Sequence, residues 1–320
     1  MDYRSRKGEI CFLGSISNIM YNYKKEISEG ALLRNSAGYN FRVYYTENIW
    51  EKDFWLECVN FDNPDYPKLA EFLSEKGYKI NEYTLSDKNM LYKFLLEKTS
   101  AGVPVMVSTD LYNLPYHGEF QKTHFEHIVV VYKCSNNCVE ISDCCPSKIN
   151  VPYYENCYKW TDFLTMLFES DTLHVWCIEK NIKFNKNEQS ICILKETKPF
   201  LTGVNAIRSL SEQYMQLDRK SPLSVDIKKA FRYHYLLVTG FGGPVVSRRL
   251  YAEYLKELGY IDLSDECNKV MNQWNIISKN LMRAFVFESK DYIYIFASEL
   301  MKIADTEQYL KEKLDKVNLS

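Results

Sequence analysis

The sequence predicts an α+β domain followed by a helical one. Helix-period and strand-like segments alternate over the first 195 or so residues, with a run of β-rich stretches after Gly102. Beyond "KETKP" strand signals stop and apolar residues recur at helical spacing. The expected division is therefore 1–195 and 196–320.

The elements follow in order. Leu13, Ile16, Met20, Tyr23 and Ile27 step by three and four, which predicts a helix with one buried face and puts Cys11 at its N-terminus. "PKLAEFLSEKGY" reads as a short helix closed by Gly77, "YKINEYTL" as a strand, and "DKNMLYKFLLEKTSAG" as an Asp-capped helix ending near Gly102. "VPVMVST", "HIVVVYKC" and "NCVEISD" are strands, the last two joined as a hairpin through Ser135, Asn136 and Asn137. "KWTDFLTMLFES" is expected to be a helix, and "LHVWCIEK" and "SICILKE" further strands. In the second part the helical periods are Val204, Ile207, Leu210, Tyr214, Leu217 and Val270, Trp274, Ile277, Leu281, Ala284. "GFGGP" is a turn before a helix with Pro244 in its first turn and Tyr251, Tyr254, Leu255 and Leu258 on one face.

Composition limits the partners. With 320 residues and 46% apolar content the chain can bury a real core. Forty basic against forty-two acidic residues leave a net charge of -2, so no strong field exists to hold nucleic acid or an anionic membrane. No apolar run reaches membrane-span length and no signal-peptide pattern follows the first residues, so a cytoplasmic protein is expected, with its ten cysteines reduced.

A helix N-terminus favours negative charge, so Cys11 stands where a thiolate is stabilised. Gly14, one turn on, leaves room for a substrate or a neighbouring backbone. A thiol nucleophile needs a base, and the base an orienting partner. Of the five histidines, His117 and His124 fall in a loop-like stretch, His174 begins a strand and His234 lies in a helix, whereas His127 opens the apolar run "IVVVY". His127 is the candidate base. Folding the hairpin back brings Asp143 within about three residues of register with it, on the order of 10 Å or less. Asp143 shares parity with Val139 and Ile141, so its carboxylate faces the buried side and needs a partner. A small core residue for Cys11 and a strand-end cap for Asp143 are the alternatives.

Cys at a helix start, His at the head of a strand and Asp on the next strand is the layout of papain-like enzymes. "DLYNLPY", "HFEHIVVVY" and "ISD" resemble the signature region of the family named for the butirosin-biosynthesis acyltransferase. "CFLGSISNIMYNY" is similar to that family's nucleophile helix, and "GFGGPVVSRRLYAEYLKELG" to its C-terminal helical domain. The resemblance implies a papain-like fold with an added helical domain. It also implies acyl transfer: Cys11 takes an acyl group from the phosphopantetheine thioester of an acyl or peptidyl carrier protein, and a small-molecule amine releases it as an amide. Cys11, His127 and Asp143 would be nucleophile, base and orienting acid, with no cofactor beyond the carrier's own arm and no metal.

Papain-like peptidases place a Gln shortly before the nucleophile, whereas "RSRKGEIC" has none; Ser5 is the substitute candidate for the second oxyanion donor. Asp110, Tyr112, Tyr116 and His124 lie in the family-like stretch and are candidates to shape a substrate pocket, or else turn and loop residues. A papain-like hydrolase is the enzymatic alternative, and a non-catalytic or metal-binding scaffold the other. Cys134, Cys138, Cys144, Cys145, His124 and His127 crowd together, but their spacing lacks the paired C-x₂-C of zinc sites. Arg248 and Arg249 read as a solvated helix face, or as a contact for an acidic partner.

Overall fold

The computed structural model describes residues 3–36, 41–44, 59–60, 65–147, 151–168, 172–180, 200–217, 223–240 and 242–317. The strand expected at "SICILKE" lies outside them. Along the chain run α1 (Cys11–Asn22), α2 (Glu29–Ser36), β1 (Arg42–Tyr44), β2 (Val59–Asn60), α3 (Tyr66–Glu75), β3 (Tyr78–Leu85), α4 (Lys88–Ser100) and β4 (Val105–Asp110). There follow β5 (Glu126–Cys134), β6 (Val139–Asp143), β7 (Tyr154–Tyr158), α5 (Trp160–Leu164), β8 (Leu173–Lys180) and β9 (Phe200–Thr202). The rest is helical: α6 (Gly203–Met215), α7 (Val225–Thr239), α8 (Pro244–Glu257), α9 (Ile261–Phe287) and α10 (Asp291–Asp315). None of these helices is long and apolar enough to cross a membrane.

Two compact units emerge, one from Met1–Leu32 with Tyr66–Leu194, the other from Leu33–Asp65 with Lys195–Ser320. The first is α+β, consistent with a papain-like fold. Its six-stranded antiparallel sheet runs in the order β3-β8-β4-β5-β6-β7. Every residue of β4 and the run His127–Val131 of β5 are buried, as expected of central strands covered on both faces. Leu13, Ile16, Ile19 and Met20 of α1 and Leu91 and Leu95 of α4 are fully buried. Asp87 caps α4, accepting from the backbone N–H of Asn89 and Met90 at 2.8 and 2.9 Å, an arrangement that contributes about 1 kcal/mol.

Two of the local results that differ from the sequence reading have a plain cause. The helix expected over 159–170 stops at Leu164, because the next residues bond to the sheet: Asp110 N–H donates to Met166 O at 2.8 Å, and Thr109 bridges Leu167. β7 was not expected, since its "YENCY" carries no apolar run; among the described residues it is an edge strand whose one neighbour is β6.

The β5–β6 hairpin carries an irregularity that sets the phase of everything after it. Cys134 pairs with Val139 and Lys133 with Glu140, but Val131 pairs with Ile141 and Val130 with Ser142, so Tyr132 is an extra, bulged residue. Continuing the register one step sets Asp143 opposite Val129, on the face that His127 shares. Without the bulge Asp143 would oppose Val130 and point to the other side.

In the second unit β1 pairs with β2 and with β9, and the periodic residues of α6 and α9 form the core. Trp274 of α9 is fully buried and stacks on Phe41 with ring centroids 5.7 Å apart. Gly243 is required at the α7–α8 turn, where a Cβ would fall 1.8 Å from Leu237 O. On α8, Tyr251 and Leu255 are buried, while Leu258, at the C-cap, is exposed.

Arg248 corrects the reading of a solvated helix face. It is 1% exposed and paired with Glu307, itself 2% exposed. Nε donates to Oε1 at 3.0 Å and Nη2 to Oε2 at 3.3 Å, while Trp274 Nε1 donates to the same Oε1 at 2.7 Å. One carboxylate thus joins α8, α9 and α10.

Candidate active site

Cys11 is the first residue of α1 and partly exposed. The helix has no cap from its own N-cap residue, Ile10. Glu29 of α2 supplies one instead: its carboxylate accepts from Glu9 N–H at 3.0 and 3.1 Å and from Ile10 N–H at 2.9 Å. The segment before the helix is held by an i,i+4 pair of asparagines. Asn18 exchanges hydrogen bonds with the backbone of Arg6, at 2.6 and 3.1 Å, and Asn22 with that of Arg4, at 2.9 and 3.0 Å. This fixes the chain on both sides of the sulfur.

His127 and Asp143 meet as the bulged register requires, with Nε2 and Oδ2 2.8 Å apart in a site that leaves Asp143 fully buried. Cys11 at the start of α1 and Asp143 both act electrostatically on this ring. Burial pulls the His127 imidazole down, but the Asp143 and Cys11 charges and bonds outweigh it and hold the ring well above its ordinary value. Burial likewise pushes Asp143 up, and the His127 charge, its hydrogen bond and the Cys145 N–H, 2.7 Å from Oδ1, bring it below the usual carboxylate range.

The remaining sequence candidates divide. Tyr116 is buried with its hydroxyl by the Asp143 carboxylate; burial and that charge raise the phenol well above its ordinary value, and its ring stacks on Tyr154 at 3.8 Å. Asp110, Tyr112 and His124 form a separate cluster. Asp110 Oδ1 accepts from Tyr112 N–H at 3.0 Å and Phe125 N–H at 3.2 Å, Oδ2 holds His124 Nδ1 at 2.7 Å, and the His124 ring lies on Tyr112 at 4.1 Å. Gly14 faces backbone and sulfur: a Cβ there would lie 2.7 Å from Cys144 Sγ and 3.2 Å from Gly8 Cα. Ser5 is committed elsewhere, its hydroxyl bonded to Ser142, at 2.5 Å, and to Glu155, on the side of β6 away from the Asp143 carboxylate.

Sequence reasoning passed over His117 as a loop residue. It is 3% exposed, with its ring centroid 5.2 Å from that of His127. Burial, then the His127 charge, lowers it to about 4. Only its position seven residues before the first histidine of "HFEH" could have marked it, and that is no signal of contact. Among the described residues no group of three His, Cys, Asp or Glu side chains converges to hold a metal.

A pH prediction follows from the two buried neutral histidines, His117 and His234, each lowered to about 4, the latter by burial. An unfolded chain protonates both near the ordinary value of about 6.5, so their stabilisation is present above that pH and is lost as pH falls toward 4. Urea midpoints are expected to drop over that window, and His234→Asn should remove about one proton's worth of slope, about 1.4 kcal/mol per pH unit. An unchanged slope would contradict a neutral His234 in the fold.

The family model described as butirosin biosynthesis protein H, N-terminal, matches residues 10–144. The matched stretch begins one residue before Cys11 and ends one after Asp143. A search of curated proteins found no match.

Proposed function

We propose, for a chain whose residues 10–144 match the family model described as butirosin biosynthesis protein H, N-terminal, that it is a cysteine acyltransferase of antibiotic or other secondary-metabolite biosynthesis. It moves an acyl group from a carrier-protein thioester to an amine. The observation that supports the reading is the buried His127–Asp143 pair, 2.8 Å apart, together with Cys11 as the first residue of α1 and its electrostatic effect on the His127 ring.

The steps use these side chains alone. His127 takes the Cys11 proton, and the sulfur attacks the thioester carbonyl of the carrier's phosphopantetheine arm. The C–S bond to the arm breaks, the arm's sulfur takes the proton back from imidazolium, and the acyl group remains on Cys11. The amine then attacks that carbonyl, His127 accepts a proton from nitrogen, and loss of the Cys11 thiolate completes the amide. Exchange of one thioester for another is nearly isoenergetic and aminolysis runs downhill, so the enzyme supplies position and a proton path. Asp143 fixes the ring and stabilises the imidazolium. Cys11 N–H, at the helix start, is the natural oxyanion donor.

The test is intact-protein mass spectrometry with acyl-loaded carrier proteins, then addition of amines. The expected result is a mass gain equal to the acyl group, discharged faster as amine is raised, with amide as product. Discharge to free acid at a rate that ignores amine would make the protein a hydrolase.

A further inference from the structure

We propose that Cys144 and Cys145 are a peroxide-sensitive dithiol, and that a disulfide closed between them pulls the backbone off Asp143 and disarms His127. This deepens the acyl-transfer reading above and rests on it for its catalytic meaning. The two sulfurs stand 3.5 Å apart, and both residues are free thiols. Cys144 S–H donates to Cys11 O at 3.8 Å, so the contact between the sulfurs takes its proton from Cys145. Cys145 N–H donates to Asp143 Oδ1 at 2.7 Å, and Asp143 Oδ2 holds His127 Nε2 at 2.8 Å. Whatever turns the 144–145 peptide therefore acts on the carboxylate that orients the base.

Cys144 is also seated against the helix that carries Cys11. Gly8 N–H donates to Cys144 O at 2.8 Å, and a Cβ on Gly8 or Gly14 would fall 2.8 or 2.7 Å from the Cys144 sulfur. Cys144 is buried, whereas Cys145 is partly exposed and meets an oxidant first. The co-reactant is a hydroperoxide: the Cys145 sulfur attacks its outer oxygen, the O–O bond breaks, and the thiol proton leaves with the alcohol or water. The Cys144 sulfur then displaces hydroxide from the sulfenic acid, forming the S–S bond, and its own proton turns that hydroxide into water. The bond to Cys144 and burial hold the Cys145 thiol well above its ordinary value, so the pair rests as two thiols and closes under sustained peroxide. Adjacent Cα atoms are ~3.8 Å apart across a trans peptide, below the ~4.4 Å at which disulfide-linked pairs usually begin, so closure twists the peptide whose N–H holds Asp143. A strained bond of that kind is readily reduced, which makes the change reversible.

The test exposes the native protein to hydrogen peroxide, blocks the remaining thiols with iodoacetamide and digests with trypsin and Glu-C, which frees "ISDCCPSK" with these cysteines alone. The expected peptide is two hydrogens lighter than the dithiol, unalkylated, and restored by dithiothreitol. In the same samples the downfield proton NMR signal of His127 Nε2–H, held by Asp143, should shift or vanish on closure and return on reduction. Acyl loading per remaining Cys11 thiol should fall roughly 10–100-fold, as when an outer partner that orients a reacting group is lost. Two alkylated cysteines at a peroxide dose that has oxidised the exposed Cys157 would overturn the proposal, as would a closed disulfide with the His127 signal unmoved. Cys145→Ser should keep its His127 signal through the same treatment, and a signal that still moves there would overturn it too. Should that variant not fold, the native peptide and signal decide. Neither needs acyl transfer, so a working switch in a protein that transfers nothing would count against the function alone.

Discussion

Cys11→Ala is expected to take up no acyl group from any loaded carrier protein, and amide formation should fall by about four orders of magnitude or more. The size follows from the loss of the covalent intermediate, since the remaining groups can only align thioester and amine. His127→Ala should cost nearly as much, and Asp143→Asn about 10⁴ if it stabilises the wrong tautomer. The three losses should not be additive, because in this reading nucleophile, base and the Asp143 that holds the base at 2.8 Å act as one device. Single-turnover assays with quantified mass adducts check this. A mass gain that persists in Cys11→Ala would move the nucleophile elsewhere.

Glu307→Ala should be the most damaging change to stability. It removes the carboxylate that accepts two hydrogen bonds from the guanidinium of Arg248, 1% exposed, and one from Trp274 Nε1. Breaking such a buried pair costs about 3–5 kcal/mol, which for a unit of this size lowers Tm by roughly 6–20 °C. Replacing both partners, Arg248→Met with Glu307→Leu, should recover much of that, since well-packed apolar groups of similar volume often match a buried ion pair. Thermal melts of the two variants give the comparison. Equal melting of Glu307→Ala and the parent would mean that solvent reaches the pair.

The sequence carried the periodic parts of this molecule well. The α1 stripe at Leu13, Ile16 and Met20, the strands of the central sheet and the buried positions of α6 and α9 all follow from spacing of apolar residues, a local signal. The candidate site was legible in part: strand position singled out His127, and parity placed Asp143 on a buried face. Whether those faces were the same one depended on Tyr132, whose bulge has no composition mark. The partners of Ser5, of Gly14 and of Arg248 lie far along the chain, so long-range packing decided them and spacing could not. His117 illustrates the same limit, because its burial beside the His127 ring, 5.2 Å away between centroids, comes from packing and not from spacing.

The pairing of β1 with β9 has a consequence for biosynthesis. Arg42 lies opposite Thr202, so 160 residues must leave the ribosome after the first partner before the second appears. At about 5–20 residues per second that is roughly 8–30 s of waiting, during which an unmatched strand edge is open to capture by chaperones or neighbours. Excision of residues 196–320 as a fragment would carry away one half of that ladder and leave its complement behind, so an expression clone of the helical part should retain residues 33–65 as well.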